Sequence, residues 1–318
     1  MELRQLEYFI AIAESSSFSR AAVRLSVAQP VLSRQIKALE QELGAELYAR
    51  TGRGIVLTEA GKLFEQHARG VLETTAGACS AISALGATPT GRVVIGMPPS
   101  VGAVLTATLV RQFRSEFPKV SLGVMEGFSG HVLEWLTTGR IDVAVLYNAP
   151  RSNTLVSAPL LTDELFLLGP VSDPAGAGSG PVAAAKLASI PLILPSRPHG
   201  LRLLVDDSLS RIGVAPNVQV EIDAMPSTLS LVESGVGYTV LSYSCVHQLI
   251  SAGRIRSWSI VEPTMTRSLV VATSSLRPTT KAAKSLVAMV SAQVDGLVRE
   301  GRWAPPRAAL APISEIRS

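Results

Sequence analysis

The sequence predicts a small all-α head of winged helix-turn-helix type, a long linker helix, and a larger α/β body. Three observations predict it. Residues 2–46 carry apolar side chains at helical spacing in three short runs, and a glycine-containing turn then separates two short strand-like segments. Residues 64–85 repeat apolar or small side chains in steps of four and three. From Arg92 onward β-type and helical segments alternate, which is the pattern of a parallel sheet covered by helices.

Leu3, Leu6, Phe9, Ile10 and Ala13 mark the first helix, and "ESSSFS" interrupts it. Ser17 is the candidate N-cap of a second helix, about 18–25, with Phe18, Ala21, Ala22 and Leu25 facing inward. "SVAQ" is a short connection, and Pro30 opens the third helix, where its missing N–H is no loss. Val31, Leu32, Ile36, Leu39 and Leu43 form the buried stripe of that helix, and Gly44 ends it. "LYAR" and "GIVL" flank the turn "TGRG" as a hairpin. A small structural bundle would share the three-helix pattern; the hairpin favours the winged motif.

Thr58 caps the linker helix, with Glu59 in its first turn. Phe64, Ala68, Val71, Thr75, Ala78, Ile82 and Leu85 then recur at the 3.5-residue period of a coiled-coil seam, which needs a partner helix and points to a homodimer. "GATPTG" (86–91) is a linker. The body reads as strand "RVVIG", helix 102–118, strand "VSLGVME", helix "GHVLEWLTTG" and strand "IDVAVLY". Strands "LFLLGP" and "PLILP" lie either side of "DPAGAGSGP", a flexible surface loop by composition. A second series follows: helix 200–212, strand 217–222, helix 224–234, strand 238–241, strand "SLVVATS" and helix 279–299. The tail from Trp303 to Ser318 is proline-rich and is expected to be disordered.

Of 318 residues, 47% are hydrophobic and 17% charged, so the chain is globular and long enough for two or three domains. Charge is distributed unevenly. Residues 1–60 hold seven basic and seven acidic side chains, yet 17–39 contain Arg20, Arg24, Arg34 and Lys37 without an acid. That basic stripe on a neutral head suits nucleic acid. Cys79 and Cys245 lack disulfide or metal spacing, the N-terminus is not a signal peptide, and no apolar run approaches eighteen residues. A cytoplasmic protein with no membrane partner is expected.

"SFSRAA", "AQPVLSRQIKALEQELG", "LYAR" and "LTEAG" together resemble the N-terminal domain of LysR-type transcriptional regulators, densely over residues 1–65. "GRVVIGMPPS", "GRIDVAVLY" and "ESGVGYTVL" resemble that family's effector-binding domain more loosely, to about residue 300. "GFSGHVLEWLTTGRIDVAVLYN" is similar to the branch holding nitrogen-assimilation regulators. The resemblance implies a homotetramer built as a dimer of dimers, double-stranded promoter DNA with dyad-symmetric sites as partner, and RNA polymerase as a further candidate partner. It also implies an effector domain of two Rossmann-like α/β lobes, like periplasmic binding proteins, with a ligand cleft between them. The domains are then residues 1–58 (head), 59–90 (linker helix and hinge) and 91–302 (effector domain), with 303–318 as tail. Lobe one takes 91–163 and 267–302, and lobe two 164–266.

On the third helix Pro30, Ser33, Arg34 and Lys37 share the face opposite the apolar stripe, and Gln29 lies at its mouth. Arginine pairs bidentately with guanine, glutamine with adenine, and serine with base or phosphate. Carried over from the family, Gln29, Pro30, Ser33 and Arg34 read bases, whereas Lys37 and Arg24 contact phosphates. Arg50 and Arg53 flank the wing, and Arg53 is placed to enter a minor groove. Each of these side chains taken singly also fits a solvated helix face.

Ser100 and Ser129 each follow a parallel strand and open a helix, where ligands gather and N–H groups favour an anion. Both match family effector positions, though each also fits a plain helix cap. Arg197, His199 and Arg202 stand at another helix start in "LPSRPHGLR". A small carboxylate-like organic effector held between Ser100, Ser129, Arg197 and Arg202 is the expectation. No cofactor and no enzymatic activity are expected. "GFSGH" has His131 where a nucleophile elbow requires its second glycine, and His67, His131, His199 and His247 are scattered. A cytoplasmic solute-binding protein without a DNA-directed role is the alternative, and it leaves residues 1–60 unexplained.

Overall fold

The computed structural model describes residues 1–51, 54–83 and 89–303. The head comprises α1 (Leu3–Ser15), α2 (Phe18–Leu25), α3 (Gln29–Leu43), β1 (Tyr48–Thr51) and β2 (Gly54–Leu57), followed by the long α4 (Glu59–Ser83). Ser17 caps α2 by accepting from Arg20 N, and Ser26, in the left-handed region, ends it. Ala28 rather than a side-chain acceptor precedes α3, and Pro30 sits in its first turn. The expected α3 stripe is narrower in three dimensions. Leu32, Ile36 and Leu39 are buried, while Val31 and Leu43 near the ends are half-buried and exposed. β1 and β2 pair antiparallel from Tyr48 opposite Leu57 to Thr51 opposite Gly54, forming the wing.

The seam on α4 departs from expectation. Ala68 is buried in the head, and Phe64 packs edge-on against Phe9 at 5.0 Å. These two positions complete the head's own core, because α4 crosses α1 before it leaves the head. Val71 and Ala78 are exposed and Thr75 half-buried, which leaves them open to a partner helix. The Ile82 side chain and Leu85 lie outside the described residues.

Thr58 locks the start of α4: its hydroxyl donates to Glu46 O at 2.7 Å and accepts from Gly61 N at 3.0 Å. Gly61 lies so close to the wing that a Cβ there would stand 2.1 Å from the Leu47 carbonyl oxygen. Neither backbone can yield cheaply. Gly61→Ala is therefore expected to lower the head's stability by about 1–3 kcal/mol or more, read as a lower unfolding midpoint for the head.

The body continues with β3 (Gly91–Met97), α5 (Pro99–Glu116), β4 (Val120–Glu126), α6 (Ser129–Thr138), β5 (Val143–Tyr147) and β6 (Leu155–Pro170). Then come β7 (Val182–Ala183), β8 (Leu192–Leu194), α7 (Gly200–Ser210), β9 (Val218–Glu221), α8 (Met225–Glu233) and β10 (Thr239–Ser242). The chain finishes with α9 (His247–Ser251), β11 (Ile255–Val261), β12 (Thr266–Ser274) and α10 (Lys281–Arg299). One sheet runs in the order β4-β3-β5-β12-β6-β11-β7, with β10 also on β6, while β8 and β9 form a separate parallel pair.

β3, β4 and β5 are parallel, as βαβ connections require. The sixteen-residue β6 ties the two halves together. It pairs with β12 through Glu164 and with β10 and β11 from Leu165 onward. Two apolar cores flank the first half of the sheet, one beneath α5 and α10 and the other beneath α6. A third fills the second half.

Two expectations need correction. Trp303, taken as the first residue of a disordered tail, is buried beside α10, and its indole N–H donates to Asp163 Oδ1 at 3.1 Å. A large aromatic with a polar handle docks well where both demands are met. Residues 304–318 lie outside the described residues. "DPAGAGSGP" is an ordered loop. The Asp173 carboxylate accepts from Ala177 N, Gly178 N and the Tyr238 hydroxyl, and Trp258 Nε1 donates to Gly178 O. Composition suggests flexibility, but the aspartate organises the turn.

Candidate functional site

The head presents one polar face of α3. Ala28, Gln29, Pro30, Ser33, Arg34 and Lys37 are all exposed, and Arg34 and Lys37 have no ion pair among the described residues. Gln29 Oε1 accepts from Ser19 Oγ at 2.9 Å, so α2 orients the amide at the mouth of α3. Arg24, at the end of α2, donates to Glu14 at 2.6 Å, and Glu14 also receives Arg69 at 3.0 Å. Partial burial raises the Glu14 pKa, but the two arginines outweigh it and hold the carboxyl below its ordinary value. Arg24 is more than half exposed, and an ion pair with so exposed a member is worth little in water, so a phosphate can compete for that side chain. Arg50 is on β1 but its side chain is not among those described, and Arg53 lies outside the described residues.

The second site is a cavity of about 580 Å³ between the lobes. The starts of α5, α6, α7 and α8 all contribute to its lining. Ser100 is buried and lines it. Ser129 lines it too, and its hydroxyl accepts from Tyr147 N at 3.1 Å. Neither serine is a helix cap, because Pro98 and Phe128 occupy those positions. His199 caps α7, its Nδ1 accepting from Leu201 N at 3.0 Å, and its ring meets Phe128 edge-on at 4.1 Å. Burial above all lowers the His199 pKa, with Asp223 opposing and Arg267 and His131 reinforcing the shift. A neutral imidazole fits its role as acceptor.

The two arginines expected here do not line the cavity. Arg197 pairs with Asp206 at 2.7 Å. Arg202 is held by Asp206 at 3.0 Å, Glu221 at 2.6 Å and Pro195 O at 3.2 Å. Helical spacing brings Asp206 four residues beyond Arg202, and that partner satisfies the guanidinium within lobe two.

The arginine that does line the cavity is Arg267, on β12. Arg267 is buried and pairs with the buried Asp163 at 3.2 Å. Its Nη2 donates to Ser242 Oγ at 2.5 Å, and Ser242 in turn donates to Asp163. The guanidinium carbon lies 3.4 Å from the Tyr147 ring centroid. Asp163, Ser242 and Arg267 come from β6, β10 and β12 and meet where β6 passes from one half of the sheet to the other. Tyr147, Asn148, Asp223 and Thr239 also line the cavity; the first two and Thr239 fall within the family-like segments, but their residue types alone do not single them out. Among the described residues no group of three or more His, Cys, Asp or Glu could hold a metal ion, and no helix is long and apolar enough to cross a membrane.

Residues 3–62 match the bacterial regulatory helix-turn-helix protein model of the lysR family, and residues 86–295 match the LysR substrate binding domain. The nitrogen assimilation regulatory protein nac of Klebsiella aerogenes is 33% identical, over 90% of this chain and 94% of that protein. Full-length OxyR from Pseudomonas aeruginosa superposes with a TM-score of 0.70 at 24% identity, covering 91% of this chain and 94% of that one. Full-length CbnR complexed with its target DNA gives 0.67 at 24% identity, covering 92% and 100%. The match over the head favours a DNA-binding regulator over the solute-binding alternative, and these relatives are regulators rather than enzymes. The chain belongs to the LysR family of DNA-binding transcriptional regulators.

Proposed function

We propose that this regulator binds dyad-symmetric promoter sites in the cytoplasm as a homotetramer, a dimer of dimers, and that a small anionic effector between its lobes sets its output to RNA polymerase. Gln29, Pro30, Ser33 and Arg34 read base edges. Lys37 and Arg24 hold phosphates, and Arg50 and Arg53 serve the wing. The observation that carries this reading is the exposed face of α3, where Arg34 and Lys37 stand without ion-pair partners among the described residues. The anionic effector is supported by four helix starts and Arg267 around one cavity, with Ser100 and Ser129 in its lining.

Salt dependence tests the DNA reading. Phosphate contacts from two heads predict a slope of log K against log salt of about −4 or steeper. A flat dependence would remove DNA as the partner.

A further inference from the structure

The cavity between the lobes has a polar end that the chain leaves unpaired. Tyr147, at the last position of β5, is 8% exposed, and its hydroxyl makes no hydrogen bond. Ser100 and Ser242 are polar neighbours of that hydroxyl, but neither reaches hydrogen-bond geometry with it. A buried donor without a partner is unfavourable, and it marks a place where a ligand atom restores the bond. Over the same ring lies Arg267, whose Nε and Nη2 are engaged by Asp163 and Ser242 while Nη1 makes no hydrogen bond among the described residues. Both side chains line the cavity. Much of the remaining lining is apolar, with Phe128, Leu133, Leu201, Leu204, Ile222 and Met225 around it. The lining carboxylate of lobe two, Asp223, is occupied by Ser196 through both oxygens.

We infer that Tyr147 and Arg267 together hold the charged end of a monoanionic effector with an apolar body, of the aryl- or branched-alkyl-carboxylate class. The inference rests on the proposed effector role of the cleft and names its ligand class. The Tyr147 O–H and an Arg267 N–H donate to the carboxylate, a charge-assisted pair of bonds. The body lies against Phe128, Leu204 and Met225. A second carboxylate at the far end of the body, against that apolar wall or facing Asp223, would be buried without a partner, which is costly.

The test is calorimetric titration of full-length wild type and Tyr147→Phe with phenylacetate, 3-methylbutanoate, succinate and the neutral phenylacetamide. The unfolding midpoints of both unliganded proteins are measured alongside. A monoanion is expected to bind, succinate to bind at least tenfold more weakly, and Tyr147→Phe to weaken the monoanion at least tenfold. The unliganded variant is expected to unfold no earlier than wild type, because the deleted hydroxyl has no partner. Equal monoanion affinity in both proteins overturns the role of Tyr147. Tighter binding of succinate overturns the class. Phenylacetamide binding as well as phenylacetate overturns the anion while leaving the cleft as a ligand site. Failure of every probe to bind at millimolar concentration overturns the inference and counts against the cleft as well.

Discussion

Arg34→Ala is expected to weaken binding to the regulator's own site by about 1–3 kcal/mol and to relax the preference at one base pair of each half-site. The side chain is exposed on α3, one helical turn beyond Pro30, and no acidic group neutralises it among the described residues. A guanidinium so placed can donate two parallel bonds to a guanine edge, and alanine can donate none. Lys37→Ala serves as the contrast. If it contacts a phosphate, as proposed, its loss is expected to lower affinity for all sequences alike and to flatten the salt slope by about one unit. Selection of sites from random DNA, run with both variants, separates these outcomes. Unchanged selectivity in Arg34→Ala would take that residue out of the readers.

The largest expected effect on stability is at the crossing of the two lobes. Arg267→Met strands the carboxylate of Asp163, which is 2% exposed, with Ser242 and Trp303 as its side-chain donors among the described residues. Removing one partner of a buried pair costs about 3–5 kcal/mol. Replacing both, as Asp163→Leu with Arg267→Met, is expected to recover most of that loss, since neither charge is then buried alone. Denaturant unfolding of the single and double variants gives the numbers. A loss below about 1 kcal/mol in the single variant would show that the pair is solvated in solution.

Local pattern carries the head well. Ser17, Pro30 and Thr58 mark helix starts through chemistry confined to a few neighbouring residues, and the polar face of α3 is visible from spacing alone. The linker seam is harder to read, since a 3.5-residue period cannot say that Phe64 and Ala68 meet Phe9 and the head core before any second chain. The cavity shows the same limit. Ser100 and Ser129 follow from strand-helix junctions. Arg197 and Arg202 suggest themselves by standing at a helix start, yet Asp206 and Glu221 already hold them. Arg267 and Tyr147 are 120 residues apart in sequence and adjoin only because β12 pairs with β5. No motif encodes that pairing. Trp303 escapes notice for a related reason, because proline-rich composition around it conceals one buried anchor.

If α3 and its symmetry-related copy read a promoter, footprinting of the DNA upstream of the regulator's own gene, at physiological salt, is expected to show two protected patches. They are related by a dyad, centred about one helical turn apart or a multiple of it, and lost at high salt. Absence of protection, or a protected region without dyad symmetry, would rule out promoter reading by α3.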